Sequence, residues 1–128
     1  MEHRKILIDT SILIDYFRKV DKSETKLMKI YKSYETIFIS SVTAFELLSG
    51  VNKKNRTATE KILSGLNIIP FDKEIAKKAA KIYRKLKRKN KIIQMRDIFI
   101  GATAIYAGLP IKTLNKKHFK RIENLIIK

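Results

Sequence analysis

The sequence predicts a single α/β domain spanning residues 1–128, built in three layers, α/β/α, around a parallel sheet of four to five strands. Short apolar segments rich in β-branched residues alternate with longer segments whose apolar residues recur at helical spacing. This alternation is typical of β–α–β crossover units, whose parallel strands are covered by helices on both faces. The length of 128 residues and the apolar content of 45% suit one domain with its own core.

Four short apolar runs are predicted to form the strands. Each contains isoleucine, leucine or phenylalanine in a continuous apolar stretch, as buried strands do. A further apolar run near the end of the chain, residues 125–127, could add a fifth strand at the edge of the sheet. The four main predicted strands cover residues 5–9, 36–40, 67–71 and 109–113.

Six segments show the apolar spacing of helices. The clearest begins at the cap residue Asp72 and repeats an apolar residue every three or four positions from Ile75 to Leu86, with lysines on the opposite face. The last segment is apolar on nearly all sides, which indicates burial against the sheet, and Gly108 ends it. The predicted helices cover residues 10–17, 23–34, 41–48, 56–66, 72–86 and 97–107.

The charge of the chain favours a polyanionic partner. Lysine and arginine number 29 against 12 acidic residues, which gives a net charge of +17. A field of this size attracts polyanions, and an excess of lysine suits diffuse contact with phosphates better than recognition of particular bases. A lysine-rich surface is also typical of thermophilic proteins, which is an alternative explanation.

The absence of cysteine excludes several classes of site. Disulfides, zinc–thiolate sites, iron–sulfur clusters and thiol nucleophiles are all ruled out. The composition is compatible with a reducing cytoplasm, where we expect the protein to act. No apolar run approaches the roughly 20 residues that span a bilayer, so we expect no membrane association.

Three acidic residues lie among apolar neighbours close to the ends of predicted strands. Asp9 ends the first strand, Glu46 lies in the helix after the second, and Asp97 begins the helix before the fourth. Ligands bind open parallel sheets at the carboxyl ends of the strands, so we expect these side chains to share a cleft. Buried carboxylates are rare unless paired or metal-bound, and oxygen ligands alone suit Mg²⁺ or Mn²⁺. The sequence therefore predicts a catalytic metal site.

Each acid also has a purely structural explanation. Asp9 would cap the helix that follows it, and Asp97 would stabilise the first turn of its helix through the macrodipole. Thr43 and Glu46 have the spacing of a capping box. The joint occurrence of the three acids at successive strand ends favours the shared site.

Four segments carry motifs in a fixed order: residues 6–15, ILIDTSILID; residues 41–50, SVTAFELLSG; residues 97–104, DIFIGATA; and TLN at 113–115 with HF at 118–119. These motifs resemble those of the PIN-domain family, especially the VapC-type toxins of prokaryotic toxin–antitoxin pairs, and the resemblance extends over essentially the whole chain. The resemblance implies an Mg²⁺- or Mn²⁺-dependent endoribonuclease that inhibits growth by cutting an essential RNA. It also implies a homodimer and a VapB-like antitoxin that blocks the site.

The family's acidic positions are matched in part. Asp9, Glu46 and Asp97 correspond to three of its acids, whereas Asn115 stands where many members have aspartate. Gly101 stands where another acid is common, four residues after Asp97. Both departures argue for a site with one metal ion rather than two.

Our hypothesis is that Asp9 and Asp97 hold the metal and Glu46 binds it directly or through water, which activates water for attack on a phosphodiester. Hydroxyls would fix the carboxylates, although capping and strand-end bonds explain them nearly as well. Asn115 would orient or bind water. His118 could contact a phosphate or stack on a base, but beside Phe119 it is interpreted as a packing or capping residue. The supporting hydroxyls are Thr10, Ser11 and Thr113; the residues expected to capture RNA are Arg18, Lys53, Lys54, Arg56, Arg96, Lys116 and Lys117.

Three other functions fit parts of the sequence. A PIN-like nuclease of RNA processing or decay would have no antitoxin, and a small upstream reading frame would argue against it. A non-catalytic RNA-binding module would use the same basic surface without the acids. An aspartyl-phosphate enzyme or receiver domain would also end its first strand in aspartate. That class is disfavoured because no second aspartate follows two residues after Asp9 and the lysine expected after the fourth strand is missing.

Overall fold

A parallel sheet of four strands forms the centre of the computed structural model, which describes residues 4–128. The strands are β1 Lys5–Ile8, β2 Thr36–Ser40, β3 Asn67–Ile69 and β4 Ile111–Lys112. Their spatial order is β3-β2-β1-β4, and every neighbouring pair is parallel. The predicted α/β class and parallel sheet are confirmed.

Helices connect the strands and flank the sheet. A 3₁₀ turn at Lys22–Glu24 precedes the second helix. Thr25 caps that helix by accepting a hydrogen bond from the Met28 amide. The helices are α1 Thr10–Arg18, α2 Lys26–Ser33, α3 Ser41–Ser49, α4 Arg56–Ser64, α5 Lys73–Arg88, α6 Met95–Ala107 and α7 Lys116–Phe119. No helix within residues 4–128 combines the length and apolarity needed to cross a bilayer.

The alternation of side chains along β1 places a hydrophobic core on each face of the sheet. Leu7 packs on one face with buried residues of α5 and α6. Ile6 and Ile8 point to the opposite face, where they pack with buried residues of α1 and α2. All three side chains have no solvent exposure, which explains the continuous apolar run of this strand. The three-layer arrangement follows from these two cores.

The main differences from the sequence prediction lie at the third, fourth and fifth predicted strands and at the start of the last predicted helix. The third and fourth strands are shorter than predicted, because Pro70 and Pro110 have no amide hydrogen to donate to a strand ladder. The predicted fifth strand is wrong: residues 125–127 contribute a single parallel bridge between Ile111 and Ile127. The buried helix α6 begins at Met95, two residues earlier than expected, so Asp97 lies inside its first turn.

Gly101 in α6 lies against the apolar residues that close one end of the core. A Cβ atom at this position would lie 2.6 Å from Cδ1 of Ile122, with Leu125 and Phe119 within 4 Å. The absence of an acid here is therefore matched by packing that leaves no room for one. Whatever the number of metal ions, this position requires a small residue.

Substitution Gly101→Asp is expected to lower the free energy of unfolding by about 4 kcal/mol, because a carboxylate would be buried among alkyl groups without a partner. Gly101→Ala is the control. Only the terminal methyl of Ile122 must move, and alanine gains about 1 kcal/mol of helix propensity, so we expect little net change. Urea denaturation checks both variants. A Gly101→Asp protein with a wild-type midpoint would contradict the assigned packing.

Candidate active site

The strongest candidate site lies where the strand order reverses, between β1 and β4. Along the chain, β2 is added beside β1 and β3 beside β2. The chain then returns to add β4 on the other side of β1. A crevice forms outside the carboxyl ends of the strands at such a reversal. Asp9 follows β1 and Thr113 follows β4, and a cavity of about 460 Å³ opens beside them. Asp9, Asp97, Arg18 and Arg96 are among the residues that line it.

Asp9 is fixed by two hydroxyl groups. The Ser11 hydroxyl donates to Oδ1 at 2.6 Å and the Thr113 hydroxyl donates to Oδ2 at 3.0 Å. Each hydroxyl also accepts a backbone amide, Ser11 from Leu114 at 3.0 Å and Thr113 from Asn115 at 2.8 Å. Asp9 precedes α1, yet its side chain makes no capping hydrogen bond. The capping explanation for Asp9 is therefore wrong.

Burial raises the pKa of the Asp9 carboxyl from 3.8 to about 6. The hydrogen bonds from Ser11 and Thr113 lower this pKa, and the nearby charge of Asp97 raises it. Only 2% of Asp9 is exposed to solvent. The hydrogen bonds to Asp9 thus do not fully offset the cost of burying its negative charge.

Asp97 is the third residue of α6 and is equally buried. Burial also raises its pKa; Arg96 and His118 oppose the shift, while Glu46 adds to it. Within the described chain, its Oδ2 atom is buried without a hydrogen-bond partner, and Nδ1 of His118 lies 3.5 Å away in the same condition. The macrodipole explanation for Asp97 remains compatible with its position, but it leaves this buried oxygen unexplained.

His118 was not identified from the sequence as a site residue. From α7, its Nδ1 atom lies 3.5 Å from Oδ2 of Asp97, a contact that the interpretation as a packing or capping residue did not include. No local pattern indicates the contact between His118 and Asp97, since these residues lie 21 positions apart in the sequence. The TLN…HF motif gave the only available signal.

Glu46 projects from α3 toward the same region. Its Oε1 accepts a hydrogen bond from the Thr10 hydroxyl at 2.7 Å, and its Oε2 accepts one from Nη1 of Arg96 at 2.8 Å. The capping-box explanation is wrong, because α3 is capped by Ser40 and Thr43 lies inside the helix. Glu46 lines a second groove of about 480 Å³, which adjoins the cavity through Arg96.

The donor set suits a cation held by two carboxylates rather than three. Among residues 4–128, no three acidic, histidine or cysteine side chains are grouped closely enough to hold a metal ion by themselves. Asp9 and Asp97 line one cavity and each is desolvated, whereas Glu46 is engaged by Arg96. The unpartnered Oδ2 of Asp97 is compatible with a hard cation such as Mg²⁺ or Mn²⁺. Direct coordination by Glu46 would require the ion pair with Arg96 to open.

The basic residues expected to capture RNA divide into two groups. Arg18 and Arg96 line the cavity, and so does Lys19, which the sequence analysis missed. Asn115 lines it as well, and its side chain makes no cap bond at the start of α7. The other predicted residues are exposed and lie outside this cavity in the part of the chain that the structure describes: Lys53, Lys54, Arg56, Lys116 and Lys117.

Comparison with known proteins gives consistent matches over nearly the full length. The family model described as PIN domain matches residues 6–125. Ribonuclease VapC1 of Methanocaldococcus jannaschii is 36% identical over 128 residues, covering 99% of this chain and 88% of the relative. A DNA-bound VapBC of Salmonella typhimurium has a TM-score of 0.87 at 27% identity, covering 98% of this chain and 97% of the other. A toxin–antitoxin complex of Klebsiella pneumoniae has a TM-score of 0.76 at 28% identity, covering 94% and 95%.

Proposed function

Because this chain belongs to the PIN-domain family, we propose that it is a metal-dependent endoribonuclease and the toxin of a VapBC-type toxin–antitoxin pair. Its relatives are named as VapC ribonucleases, and they match it over nearly its whole length. The observation that carries the proposal is the pair of desolvated carboxylates, Asp9 and Asp97, in one cavity of a protein with a net charge of +17. An acidic pocket in a basic surface suits a polyanionic substrate that is bridged to the acids by a cation.

Asp9 and Asp97 would hold the Mg²⁺ or Mn²⁺ ion, with Glu46 reaching it through water. When bound, such an ion supplies acidity to water and positive charge to the phosphate under attack. Ser11 and Thr113 orient both oxygens of Asp9 by donating to them, which fixes that carboxylate for its task. Thr10 does the same for Oε1 of Glu46.

The substrate side of the reaction follows from the charges around the cavity. Arg18, Lys19 and Arg96 line it and can bind the phosphates next to the scissile bond. The side-chain amide of Asn115 can hold the attacking water or a phosphate oxygen, because it is not used to cap α7. Hydrolysis adds water across one P–O bond of the backbone. The exposed residues Lys53, Lys54, Arg56, Lys116 and Lys117 would bind phosphates farther along the strand.

The proposed partners follow from the relatives. The Klebsiella structure is a toxin–antitoxin complex and the Salmonella structure is a VapBC bound to DNA, so the expected partner of this chain is a VapB-like antitoxin. We further propose that the chain forms a homodimer and acts in the cytoplasm, where its RNA substrate is found. Co-expression with the product of an adjacent small gene tests the antitoxin directly.

Removal of divalent metal is expected to abolish RNA cleavage, and addition of Mn²⁺ or Mg²⁺ is expected to restore it. The measurement is gel analysis of a labelled RNA incubated with the purified protein in EDTA, with and without excess metal. An Asp97→Asn protein purified in parallel controls for contaminating nucleases. Cleavage in EDTA would contradict metal dependence. Tight RNA binding without cleavage in any metal would instead support the non-catalytic binding module.

A further inference from the structure

We propose that Arg96 is a built-in competitor of the divalent cation, which holds Glu46 in the metal-free protein and releases it when the cation binds. The inference rests on the proposed function, because it concerns the same acidic site. It adds to that function an order of events, in which an ion pair within the protein opens before Glu46 can serve the metal. The inference also predicts that Arg96 weakens metal binding at a site whose acids, Asp9 and Asp97, favour it.

The guanidinium of Arg96 is close to two of the three acids. Its Nη1 atom donates to Oε2 of Glu46 at 2.8 Å, and its Nε atom lies 3.8 Å from Oδ1 of Asp97. The other oxygen of Glu46 is taken by the Thr10 hydroxyl. Glu46 therefore has both oxygens engaged by protein groups, Oε1 by a neutral hydroxyl and Oε2 by the charged guanidinium.

The position of Arg96 is not explained by the stability of α6. Arg96 is the second residue of this helix, and the positive end of the helix dipole disfavours a cation in the first turn. The acids of the site supply the compensating attraction. Its side chain is 43% exposed and lines both the cavity and the neighbouring groove, so it can leave Glu46 without unfolding any part of the core.

Arg96 supplies positive charge to the acidic site, as a metal ion would. Its guanidinium contacts Oε2 of Glu46 and lies close to Oδ1 of Asp97, and it lines the same cavity as Asp9. A divalent cation between those acids would repel the guanidinium, and in a partly desolvated site this repulsion is strong. Metal binding should therefore displace Arg96 toward solvent. The displaced guanidinium stays beside the cavity, where two of its N–H groups can donate hydrogen bonds to an RNA phosphate.

The test compares the affinity of Mn²⁺ for three variants by isothermal titration calorimetry in the absence of RNA. Arg96→Met removes the charge and keeps the aliphatic stem, and we expect it to bind Mn²⁺ about ten-fold more tightly. Arg18→Met is the matched control, because it removes a charge from the same cavity without an ion pair to the three acids, and we expect a gain below about three-fold. Arg96→Lys keeps the charge and should stay near the wild-type affinity.

Equal effects of Arg96→Met and Arg18→Met would overturn the inference, because only the net charge of the cavity would then matter. Weaker Mn²⁺ binding in Arg96→Met would also overturn it, since Arg96 would then help to position Glu46 for the metal. Failure of the proposed function has a different signature, which is equal Mn²⁺ affinity in the wild type and in Asp97→Asn. Thermal unfolding in EDTA confirms that each variant is folded.

Discussion

Replacement of Asp97 with asparagine is expected to reduce RNA cleavage at least about a hundred-fold while leaving the domain folded. The carboxylate of Asp97 is 2% exposed, lines the cavity with Asp9, and has one oxygen without a hydrogen-bond partner in the described chain. An amide of the same shape keeps the packing of α6 but removes the charge that would hold a cation. Initial rates on a labelled RNA at saturating Mn²⁺, with circular dichroism of the same samples, measure both effects.

The matched control is Asp72→Asn. Asp72 is also an aspartate at the beginning of a helix, where it accepts a hydrogen bond from the Ile75 amide at 2.9 Å. Asparagine caps helices about as well as aspartate does, so we expect normal stability and a wild-type cleavage rate. A wild-type rate in Asp97→Asn would show that Asp97 is a structural residue of its helix, and the assignment of the site would be wrong.

Substitution Asp9→Asn is expected to stabilise the metal-free protein at pH 7.5 by about 1 to 3 kcal/mol, although it abolishes cleavage. Burial raises the pKa of Asp9 from 3.8 to about 6, so the folded state binds its proton more tightly than the unfolded state does. The contribution of Asp9 to stability is therefore greatest below pH 3.8, falls as the pH rises toward 6, and is lowest above 6. Asparagine has no charge to bury, so its stability does not fall over this pH range. Its NH₂ group cannot accept the hydrogen bond that one of the two hydroxyls donates to Asp9, which limits the gain in stability.

The pH dependence of thermal unfolding in EDTA provides the measurement. The melting temperature of Asp9→Asn relative to the wild type should rise between pH 4 and 6 and level off above pH 6. Other titrating groups cancel in this difference. Excess Mn²⁺ should stabilise the wild type and leave the variant unchanged. A variant less stable than the wild type above pH 7 in EDTA would contradict the proposed cost of the buried charge.

The fold was largely predictable because its main signals are local. The apolar stripe from Ile75 to Leu86 and the buried run of β1 specify a helix and a central strand from neighbouring residues alone. Their alternation then indicates parallel strands. The errors fell at the edges, where residues 125–127 have strand-like composition but only one bridge to β4. Apolar composition does not determine how many residues of the neighbouring strand, here the two-residue β4, are available for pairing.

The site was predictable in part. Asp9, Glu46 and Asp97 were predicted because strand ends converge at one edge of a parallel sheet and because their segments resemble known motifs. The structure places Asp9 and Asp97 on one cavity and Glu46 on the adjoining groove. The specific contacts were not predicted, since Thr113 and Asp9 are 104 residues apart and Arg96 and Glu46 are 50 residues apart. Capping patterns were misleading for the same reason. A side chain that matches a local motif still bonds to whichever partner the tertiary structure places nearest.

The two hydroxyl bridges from the loop after β4 to Asp9 couple the position of this loop to the candidate active site. Ser11 and Thr113 join the backbone amides of Leu114 and Asn115 to opposite oxygens of the same carboxylate. These bridges hold the loop between the two-residue strand β4 and the buried Phe119 of α7. We expect any displacement of residues 113–115 to disorient Asp9, so the proposed site would be competent only while this loop is docked.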